Sequence, residues 1–441
     1  MEYITEMQNK SAIELSGLHQ YAGKTIKISG IIHRIREMSG FSFVILRTGR
    51  ELMQCVYTRD KAQFDLDSIV EGSCVIVEGE VVLDSRVAYG AEVHIINIKV
   101  LSRPVENLPI VINRKQLDIS LDTNLAYRPI SLRNPRERAI FKIQEGIARG
   151  FREYLLKQNF TEIRTPKIVF AGAEGGANIF KLDYFGKQVY LAQSPQFYKQ
   201  MMVGVFERVF EVAPVYRAEK HDTCRHLNEY VSMDFEMGFI NDFTDIMQME
   251  VGVLKYIFSL LELEYSYELK LLNATVPRIE AIPAIKFMDA KSIIAAEFNR
   301  RITDYEDFEP EEEQLLCEYA KKKYGSDFIF VTHYPSSKRP FYAMDDREDP
   351  NFTLSFDLLY NGLEVTTGGQ RIHDYNEQVD KMLRRGMNPE EFESYLMIHK
   401  YGMPPHGGLG AGLERLTMKL LGLPNIRNAC LFPRDINRVT P

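Results

Sequence analysis

Short segments in which apolar and polar residues alternate fill the first hundred residues of the chain. Alternation with a period of two predicts β-strands, because successive side chains of a strand point to opposite faces. Glycines lie between the segments, and several short strands of this kind are typical of a small closed barrel. The predicted strands cover residues 25–33, 41–47, 52–57, 74–82 and 93–100.

A proline-marked linker follows, and the hydrophobic pattern then changes to the period of a helix. An apolar stripe predicts a long helix with Asn134 as its N-cap and Pro135 in its first turn. We therefore predict an α+β protein with a barrel at 1–104, a hinge at 105–133 and a larger domain at 134–441. The stripe consists of Ile140, Ile143, Ile147, Phe151 and Leu155.

Alternation at 210–219 and 231–239 predicts two further strands, each with charged residues on one face. Charged side chains of a sheet usually face solvent at an edge, but here their neighbours are aromatic and β-branched. We interpret the pair as the floor of a polar cavity, which would suit a ligand that has both an acidic group and an amine. The charged faces contain Glu211, Arg217 and Glu219 in the first strand and Ser232, Asp234 and Glu236 in the second, opposite an apolar face of Val231, Met233, Phe235, Met237 and Phe239.

An Asn-Gly pair at 361–362 predicts a tight hairpin between two strands. In this hairpin Asp357 would lie opposite Thr366, and Asp357 and Glu364 would be diagonal neighbours with Cβ atoms roughly 7–8 Å apart. Two carboxylates at that separation could hold a divalent cation. The alternative is a pair of exposed carboxylates at a hairpin tip.

Other candidate ligand-binding residues lie beside glycines or on a short helix. Gly368 and Gly369 predict a flexible bend that presents Arg371, whose planar guanidinium suits a carboxylate. Gln196 and Lys199 are three residues apart and would share one face of a short helix.

Two glycine-rich segments complete the candidates. Residues 172–177 contain one carboxylate, Glu174, and predict a mobile lid, with a surface turn as the alternative. Residues 407–412 lead into a helix that carries Arg415, but they lack the Gly-Lys-Ser/Thr of a P-loop.

The composition is that of an ordinary globular protein of 441 residues, with 45% hydrophobic and 26% charged residues. The net charge of −7 argues on average against a nucleic-acid partner, and the basic stretch at 24–50 is by itself interpreted as a solvated sheet face. The five cysteines form no CxxC pair, which argues against a disulfide framework or a zinc site. Because we find neither a basic leader nor a long apolar run, we expect a cytoplasmic protein with no membrane partner.

Several of these segments, in this order along the chain, resemble the signature motifs of class II aminoacyl-tRNA synthetases. The segments are Pro166, Tyr216–Glu219, Arg225–Leu227 and Gly410–Arg415. Gln193–Lys199, Gly368–Arg371 and the N-terminal barrel resemble aspartyl-tRNA synthetase in particular, in its short archaeal and eukaryotic form without the bacterial insertion domain. The resemblance implies a five-stranded OB-fold that binds the anticodon, joined to an antiparallel catalytic sheet flanked by helices. It covers nearly the whole chain and is weakest at 270–335.

The resemblance also implies roles in making an aspartyl-adenylate from ATP and L-aspartate. Arg217, Arg415 and Glu364 would be catalytic, with Arg217 on the α-phosphate and Arg415 on the γ-phosphate and the adenine. Mg²⁺ would be the cofactor, held by Asp357, Glu364 and Thr367. The ATP site would comprise Arg217, Glu219, Arg225, His226, Leu227, Tyr230, Glu364, Gly412 and Arg415. L-Aspartate would be bound by Glu174, Gln196, Lys199, Arg217, Asp234, Thr367 and Arg371, with Lys199 and Arg371 on its side-chain carboxylate.

The implied acceptor is tRNA(Asp), whose anticodon the barrel would read through Phe43, Gln54 and His33. Alternatively, Phe43 belongs to the barrel core. The sequence leaves open whether tRNA(Asn) is charged as well. The helix that begins at Asn134, together with Pro166, resembles the dimer-forming motif of the family and implies a homodimer.

Three other functions share parts of this pattern. An asparagine–tRNA ligase fits Lys199 and the Gly-Gly-Gln-Arg371 segment poorly. An adenylate-forming asparagine synthetase would be expected to lack the barrel. A non-catalytic RNA-binding paralog would be expected to have lost Arg217 or Arg415.

Overall fold

The computed structural model describes residues 15–49, 51–170 and 178–441, which belong to two compact units. The first unit ends at Glu137, and the second extends from Arg138 to Pro441. The domain borders expected from the sequence stay a prediction. Within the described parts, the structure has no helix with the length and apolar character needed to cross a membrane.

The first unit contains the predicted closed barrel, made of β1 (Thr25–Glu37), β2 (Ser42–Arg47), β3 (Leu52–Tyr57), β4 (Cys74–Leu83) and β5 (Ala91–Ser102). The strands are joined in the order β1-β2-β3-β5-β4. Val44, Leu46 and Val77 are fully buried, whereas the residue between Val44 and Leu46 is partly exposed, as alternation requires. The pattern of period two therefore predicted the strands of this barrel correctly.

The long helix begins where the sequence places it. It is α3 (Pro135–Lys157), and the side chain of Asn134 accepts hydrogen bonds from the backbone N–H of Arg136 at 2.9 Å and of Glu137 at 3.3 Å. The Asn134 amide also donates to the carbonyl oxygen of Ile112 at 2.9 Å. Asn134 thus satisfies two N–H groups that the first turn of a helix leaves without intrahelical partners.

The second unit is built on β6 (Thr161–Glu162), β7 (Ile168–Val169), β8 (Lys181–Tyr184), β9 (Lys187–Leu191), β10 (Arg208–Tyr216), β11 (Glu229–Gly238), β12 (Ala284–Lys286), β13 (Phe328–Thr332), β14 (Ser355–Tyr360), β15 (Glu364–Arg371) and β16 (His406–Gly412). Eight of them form one sheet in the order β12-β13-β14-β15-β16-β11-β10-β6, and β7-β9-β8 form a smaller sheet. In the large sheet only the edge strands β12 and β6 pair in parallel with their neighbours. The predicted α+β class with a largely antiparallel sheet is confirmed.

The helices after α3 are α4 (Gln196–Phe206), α5 (Thr244–Glu264), α6 (Ser266–Leu272), α7 (Phe287–Phe298), α8 (Pro310–Tyr324), α9 (Tyr375–Arg384), α10 (Glu393–Tyr401) and α11 (Leu413–Leu420), while α1 (Leu121–Ala126) and α2 (Arg128–Ser131) precede α3. Residues of α3 and α5 form one core with the large sheet, to which β14 contributes Phe356 and Leu358. Because side chains alternate, Asp357 between them points to the opposite face of the sheet. Residues of α7 and α8 form a separate core with β13 and β14.

Two predictions at strand ends are wrong. β10 ends at Tyr216, so Arg217 and Glu219 lie in the following loop instead of sharing a strand face with Glu211. Phe239 does not extend the apolar face of β11, since it is 72% exposed and has a positive φ of 58° just after the strand. In both places the chain turns before the alternation of residue types stops.

The glycine-rich segments are also more regular than predicted. Gly368 and Gly369 lie within β15 instead of a flexible bend, and residues 407–412 form most of β16 before α11 begins. Close packing requires that these residues have no side chain, because a Cβ atom on Gly408 would lie 2.1 Å from the carbonyl oxygen of Phe235. A strand made of glycines has no alternation, so the sequence pattern could not predict it.

Candidate functional site

One face of the large sheet borders a cavity of about 720 Å³. It is lined by residues from β11, β14, β15, β16, α4, α11 and the loop after β10. Glu174 of the predicted lid lies outside the described residues. The candidates that line the cavity are Gln196, Lys199, Arg217, Glu219, Arg225, His226, Leu227, Tyr230, Asp234, Asp357, Glu364, Thr367, Arg371, Gly412 and Arg415.

Two cations and two carboxylates lie together at the cavity, and we call Lys199, Asp234, Glu236 and Arg371 the charged quartet. Glu236 is fully buried, and the other three line the cavity. Lys199 Nζ is 2.9 Å from Asp234 Oδ1 and 3.4 Å from Glu236 Oε2. Arg371 Nε donates to Glu236 Oε1 at 2.9 Å. These side chains are at most 7% exposed. The formal charges cancel within the quartet, which limits the cost of burying them.

Helix α4 and strand β16 supply the remaining polar contacts of the quartet. Lys199 Nζ donates to the carbonyl oxygen of Leu409 at 2.8 Å, and Arg371 Nη2 donates to that of Gly408 at 3.0 Å. Arg371 Nη2 also lies 3.4 Å from Gln196 Oε1, so Gln196 and Lys199 do share the cavity-facing side of α4. The glycines of β16 provide backbone acceptors and leave room for carboxylates, because a Cβ atom on Gly410 would lie 3.0 Å from Asp234 Oδ1.

Arginines dominate another part of the cavity. Arg415 Nη1 donates to the backbone oxygen of Glu364 at 2.9 Å and lies 3.5 Å from its Oε1. Burial alone would raise the pKa of Glu364, but Arg415, the Thr367 hydroxyl and further arginines lower it overall. Burial, assisted by Arg415, lowers the pKa of His226. His226 therefore offers a neutral hydrogen-bonding ring at pH 7.

The loop at 217–228 is anchored to the C-terminal part of the chain. Arg427 Nη1 donates to the Thr223 carbonyl oxygen at 3.1 Å, and its Nη2 pairs with Asp222. The Thr223 hydroxyl in turn lies 2.6 Å from His226 Nδ1. The position of His226 thus depends on Arg427, which sequence reasoning did not single out.

The predicted metal ligands share one face of the sheet, but the register of the two strands that carry them differs from the prediction. Asp357 pairs with Thr367, because a β-bulge in the β14–β15 hairpin shifts the pairing by one residue. The prediction that Asp357 lies opposite Thr366 is therefore wrong, since counting from the turn did not include the extra residue. The bulge also lets Thr367 Oγ1 donate to Glu364 Oε1 at 2.8 Å although the two residues are three apart.

The oxygen atoms of this group suit a divalent cation. Asp357 Oδ1 is buried and has no hydrogen-bond partner in the described part of the chain, while Oδ2 accepts from Arg339 Nη2 at 2.7 Å. Burial raises the pKa of Asp357 to about 6, with Arg339 acting in the opposite direction. Two carboxylates and a hydroxyl are ligands that Mg²⁺ accepts, with water completing its shell. The residues present therefore fit the implied cofactor.

Besides Arg427, sequence reasoning missed two residues of this site. Glu236 was placed on a charged strand face but was given no role, although it contacts both cations of the quartet. Arg339 lies in a stretch without a clear pattern, and its guanidinium carbon is 3.9 Å from the centre of the Tyr334 ring. Its approach to Asp357 is a tertiary contact for which the sequence carries no local signature.

The barrel places two of the three predicted anticodon-binding residues on its outer side. Phe43 pairs with Arg36, is partly exposed and lies outside the barrel core, so the alternative that it is a core residue is wrong. Gln54 is also partly exposed, and its Nε2 donates to Glu92 Oε2 at 2.8 Å. His33 is only 5% exposed and does not share their exposure. The binding of RNA by these residues stays a prediction.

Comparison with known proteins gives two family matches, tRNA synthetases class II (D, K and N) over residues 120–436 and an OB-fold nucleic acid binding domain over residues 26–101. The Aspartate–tRNA(Asp/Asn) ligase of Deinococcus radiodurans is 46% identical over 430 residues, 96% of this chain and 97% of that relative. The Thermus thermophilus protein of the same name is 46% identical over 425 residues, 96% of this chain and 98% of the relative. A solved structure of asparaginyl-tRNA synthetase from Pyrococcus horikoshii, complexed with asparaginyl-adenylate, superposes with a TM-score of 0.86 at 32% identity and covers 96% of this chain and 97% of that chain.

Proposed function

Because the chain belongs to the class II tRNA synthetases of the D, K and N group, we propose that it is an aspartate–tRNA ligase. It attaches L-aspartate to tRNA(Asp) at the expense of ATP, through an aspartyl-adenylate. The observation that carries the choice of amino acid is the charged quartet, in which Lys199 and Arg371 are buried on the cavity floor.

The quartet supports aspartate over asparagine. Lys199 and Arg371 would bind the side-chain carboxylate of the substrate, and Asp234, with Gln196 nearby, would receive its ammonium group. An amide in place of the carboxylate would leave two buried cations without the charge that they gain from aspartate. A site built for charged hydrogen bonds rejects an analogue that lacks them by several orders of magnitude.

Adenylate formation requires no protein nucleophile. An oxygen of the α-carboxylate of aspartate attacks the α-phosphorus of ATP, the bond from that phosphorus to the bridging oxygen breaks, and pyrophosphate leaves. Arg217 would stabilise the charge that develops on the α-phosphate, and Arg415 and His226 would bind the γ-phosphate. Glu219, Arg225, Leu227, Tyr230 and Gly412 would complete the ATP site.

Asp357, Glu364 and Thr367 would hold Mg²⁺, which neutralises phosphate charge when it is bound. The buried Asp357 Oδ1, which lacks a partner in the described residues, supports this role. Glu364 would serve both the metal and Arg415, which it contacts through its backbone and its carboxylate.

The barrel would bind the anticodon. Phe43 and Arg36 share one face of the β1–β2 pair, and an aromatic ring beside a cation suits an unpaired base and its phosphate. Gln54 would read a base edge, whereas His33 would need to become more exposed to reach the RNA. The presence of this barrel also speaks against an asparagine synthetase that acts without tRNA.

Amino-acid-dependent exchange of pyrophosphate into ATP tests the proposed activation step. Exchange should require aspartate and Mg²⁺, and Arg371→Ala should abolish it while the protein remains folded. Exchange that responds to asparagine and not to aspartate would contradict the choice of substrate.

A second acceptor, tRNA(Asn), is favoured by the names of the two relatives that are 46% identical, both Asp/Asn ligases. The measurement is aspartylation of purified tRNA(Asp) and tRNA(Asn) in parallel. Charging of both would support the dual acceptor, and charging of tRNA(Asp) alone would restrict the enzyme to one.

We also propose that the enzyme is a cytoplasmic homodimer. The exposed side chains of Ile168 (47%) and Phe170 (72%) follow Pro166 and offer apolar surface next to the segment that resembles the dimer-forming motif. Sedimentation at micromolar concentration should give the mass of two chains, and a monomer would contradict this assembly.

A further inference from the structure

Helix α8 lies in the part of the chain where the family resemblance is weakest. Its start carries four glutamates, with Glu309 at the N-cap and Glu311, Glu312 and Glu313 in the first turn. Arg300 pairs with the first two, and Lys291 pairs with Glu312 at 2.7 Å. These contacts connect the start of α8 to Lys291 and Arg300, which belong to the same region at 270–335. Glu313 differs, because its partner is Arg225 of the loop at 217–228.

The contact between Arg225 and Glu313 is well protected from water. The side chains are 20% and 12% exposed, and Arg225 Nη2 donates to Glu313 Oε2. Arg225 lines the cavity. A guanidinium has five donors, so one carboxylate partner leaves others available for a ligand.

The backbone fixes the position of Glu313 as well. At Gly362, in the β14–β15 turn, φ is +79°, and a Cβ atom would lie 2.9 Å from Gln314 Cγ and 3.2 Å from Gln314 Cα. The turn thus packs directly against the residue that follows Glu313. Since β15 begins with Glu364, the same packing places α8 next to the strand that carries the proposed metal ligands Glu364 and Thr367.

We propose that Glu313 is a positioning residue of the nucleotide site, which holds the Arg225 guanidinium so that its other donors face the triphosphate of ATP. The proposal rests on the proposed ATP-dependent function. Glu313 touches no substrate itself and acts through Arg225. It gives the region at 270–335 a part in ATP binding, which neither the motifs nor the family match assigns to it.

The electrostatic surroundings of Glu313 agree with this role. Burial raises the pKa of Glu313 to about 7, Arg225 and Arg415 lower it, and Glu364 raises it. Lys419 is a further cation nearby. The carboxylate therefore gains its charge near neutral pH, and ATP affinity should increase between pH 6 and pH 8 in the wild type.

Calorimetric titration with ATP and Mg²⁺ at pH 8, without aspartate, tests the proposal. Glu313→Gln should raise the Kd for ATP by roughly tenfold, because it replaces a hydrogen bond between charged groups with a neutral one. Glu318→Gln, an exposed change on the same helix, is the matched control and should leave the Kd unchanged. Thermal unfolding of each variant checks that the fold is retained.

A double-mutant cycle separates positioning from a merely structural effect. The variant with both Arg225→Ala and Glu313→Gln should bind ATP no more weakly than Arg225→Ala alone. In Glu313→Gln the increase in affinity between pH 6 and pH 8 should be smaller than in the wild type, and the part that remains is due to other groups such as Asp357. Unchanged ATP affinity in Glu313→Gln, or effects of the two changes that add, would overturn the proposal.

Pyrophosphate exchange keeps the two hypotheses apart. Absence of aspartate-dependent exchange in the wild type would contradict the proposed function, while the ATP titrations would still decide the role of Glu313.

Discussion

Replacement of Lys199 by methionine is the sharpest perturbation of the charged quartet. Lys199→Met keeps most of the side-chain volume but removes the cation that lies 2.9 Å from Asp234 and 3.4 Å from Glu236. The quartet then changes from net neutral to a formal charge of −1. An aspartate side chain that enters the cavity meets one cation and two carboxylates instead of two of each.

The size of the effect follows from the charges. A unit charge at about 4 Å from the substrate carboxylate contributes about 4 kcal/mol at an effective dielectric constant of roughly 20. That energy corresponds to a factor of about 1,000 in kcat/KM. Breaking the buried pair should also reduce the free energy of unfolding by about 3–5 kcal/mol. The second effect is measured separately by urea denaturation.

The assay is pyrophosphate exchange at varied aspartate with saturating ATP, with Lys291→Met as the matched control. Lys291 is buried and pairs with Glu312 at 2.7 Å, but it does not line the cavity as described. Both variants should lose similar stability, while only Lys199→Met should lose kcat/KM for aspartate. A loss of less than tenfold, or an equal loss in both variants, would refute the reasoning.

Three further changes test other parts of the site. Gly408→Ala should destabilise the protein by several times the roughly 1 kcal/mol of an average substitution, because its Cβ atom would lie 2.1 Å from the carbonyl oxygen of Phe235. In the control Gly412→Ala the new Cβ atom would have no neighbour closer than 3.5 Å, so this variant should keep the wild-type melting temperature. Glu250 is buried, and burial raises its pKa to about 8. The folded state therefore holds a proton that the unfolded chain releases near pH 4–5. The free energy of unfolding should consequently fall by up to about 1.4 kcal/mol per pH unit from pH 5 to pH 8. Glu250→Gln cannot release that proton, so urea denaturation should show a flatter pH dependence; parallel curves would contradict the buried neutral acid. Asp357→Asn should raise the Mg²⁺ concentration for half-maximal exchange by tenfold or more, and an unchanged requirement would exclude Asp357 as a ligand.

The sequence predicted those features that depend on local pattern. The barrel strands follow from alternation, and α3 follows from an apolar stripe that begins after Asn134. The candidates for ATP, aspartate and Mg²⁺ that the family resemblance implied line one cavity wherever the structure describes them. Local sequence patterns suffice in these cases, because the position of each side chain depends on its neighbours in the same strand or helix.

The errors arise where distant segments decide the geometry. The bulge that pairs Asp357 with Thr367 has no local signature, and neither does the pairing of Arg339 with Asp357. The glycine strand β16 exists because β11 and β15 approach it from both sides. Glu313 reaches Arg225 only when α8 packs against the β14–β15 turn.

The most direct measurement is a crystal structure of the enzyme with a non-hydrolysable aspartyl-adenylate analogue. We expect Lys199 Nζ and the Arg371 guanidinium each to donate to the side-chain carboxylate of the analogue, at about 2.7–3.0 Å. An analogue carboxylate that lies elsewhere in the cavity, with Lys199 and Arg371 still bound only to Asp234 and Glu236, would contradict the proposed recognition of aspartate.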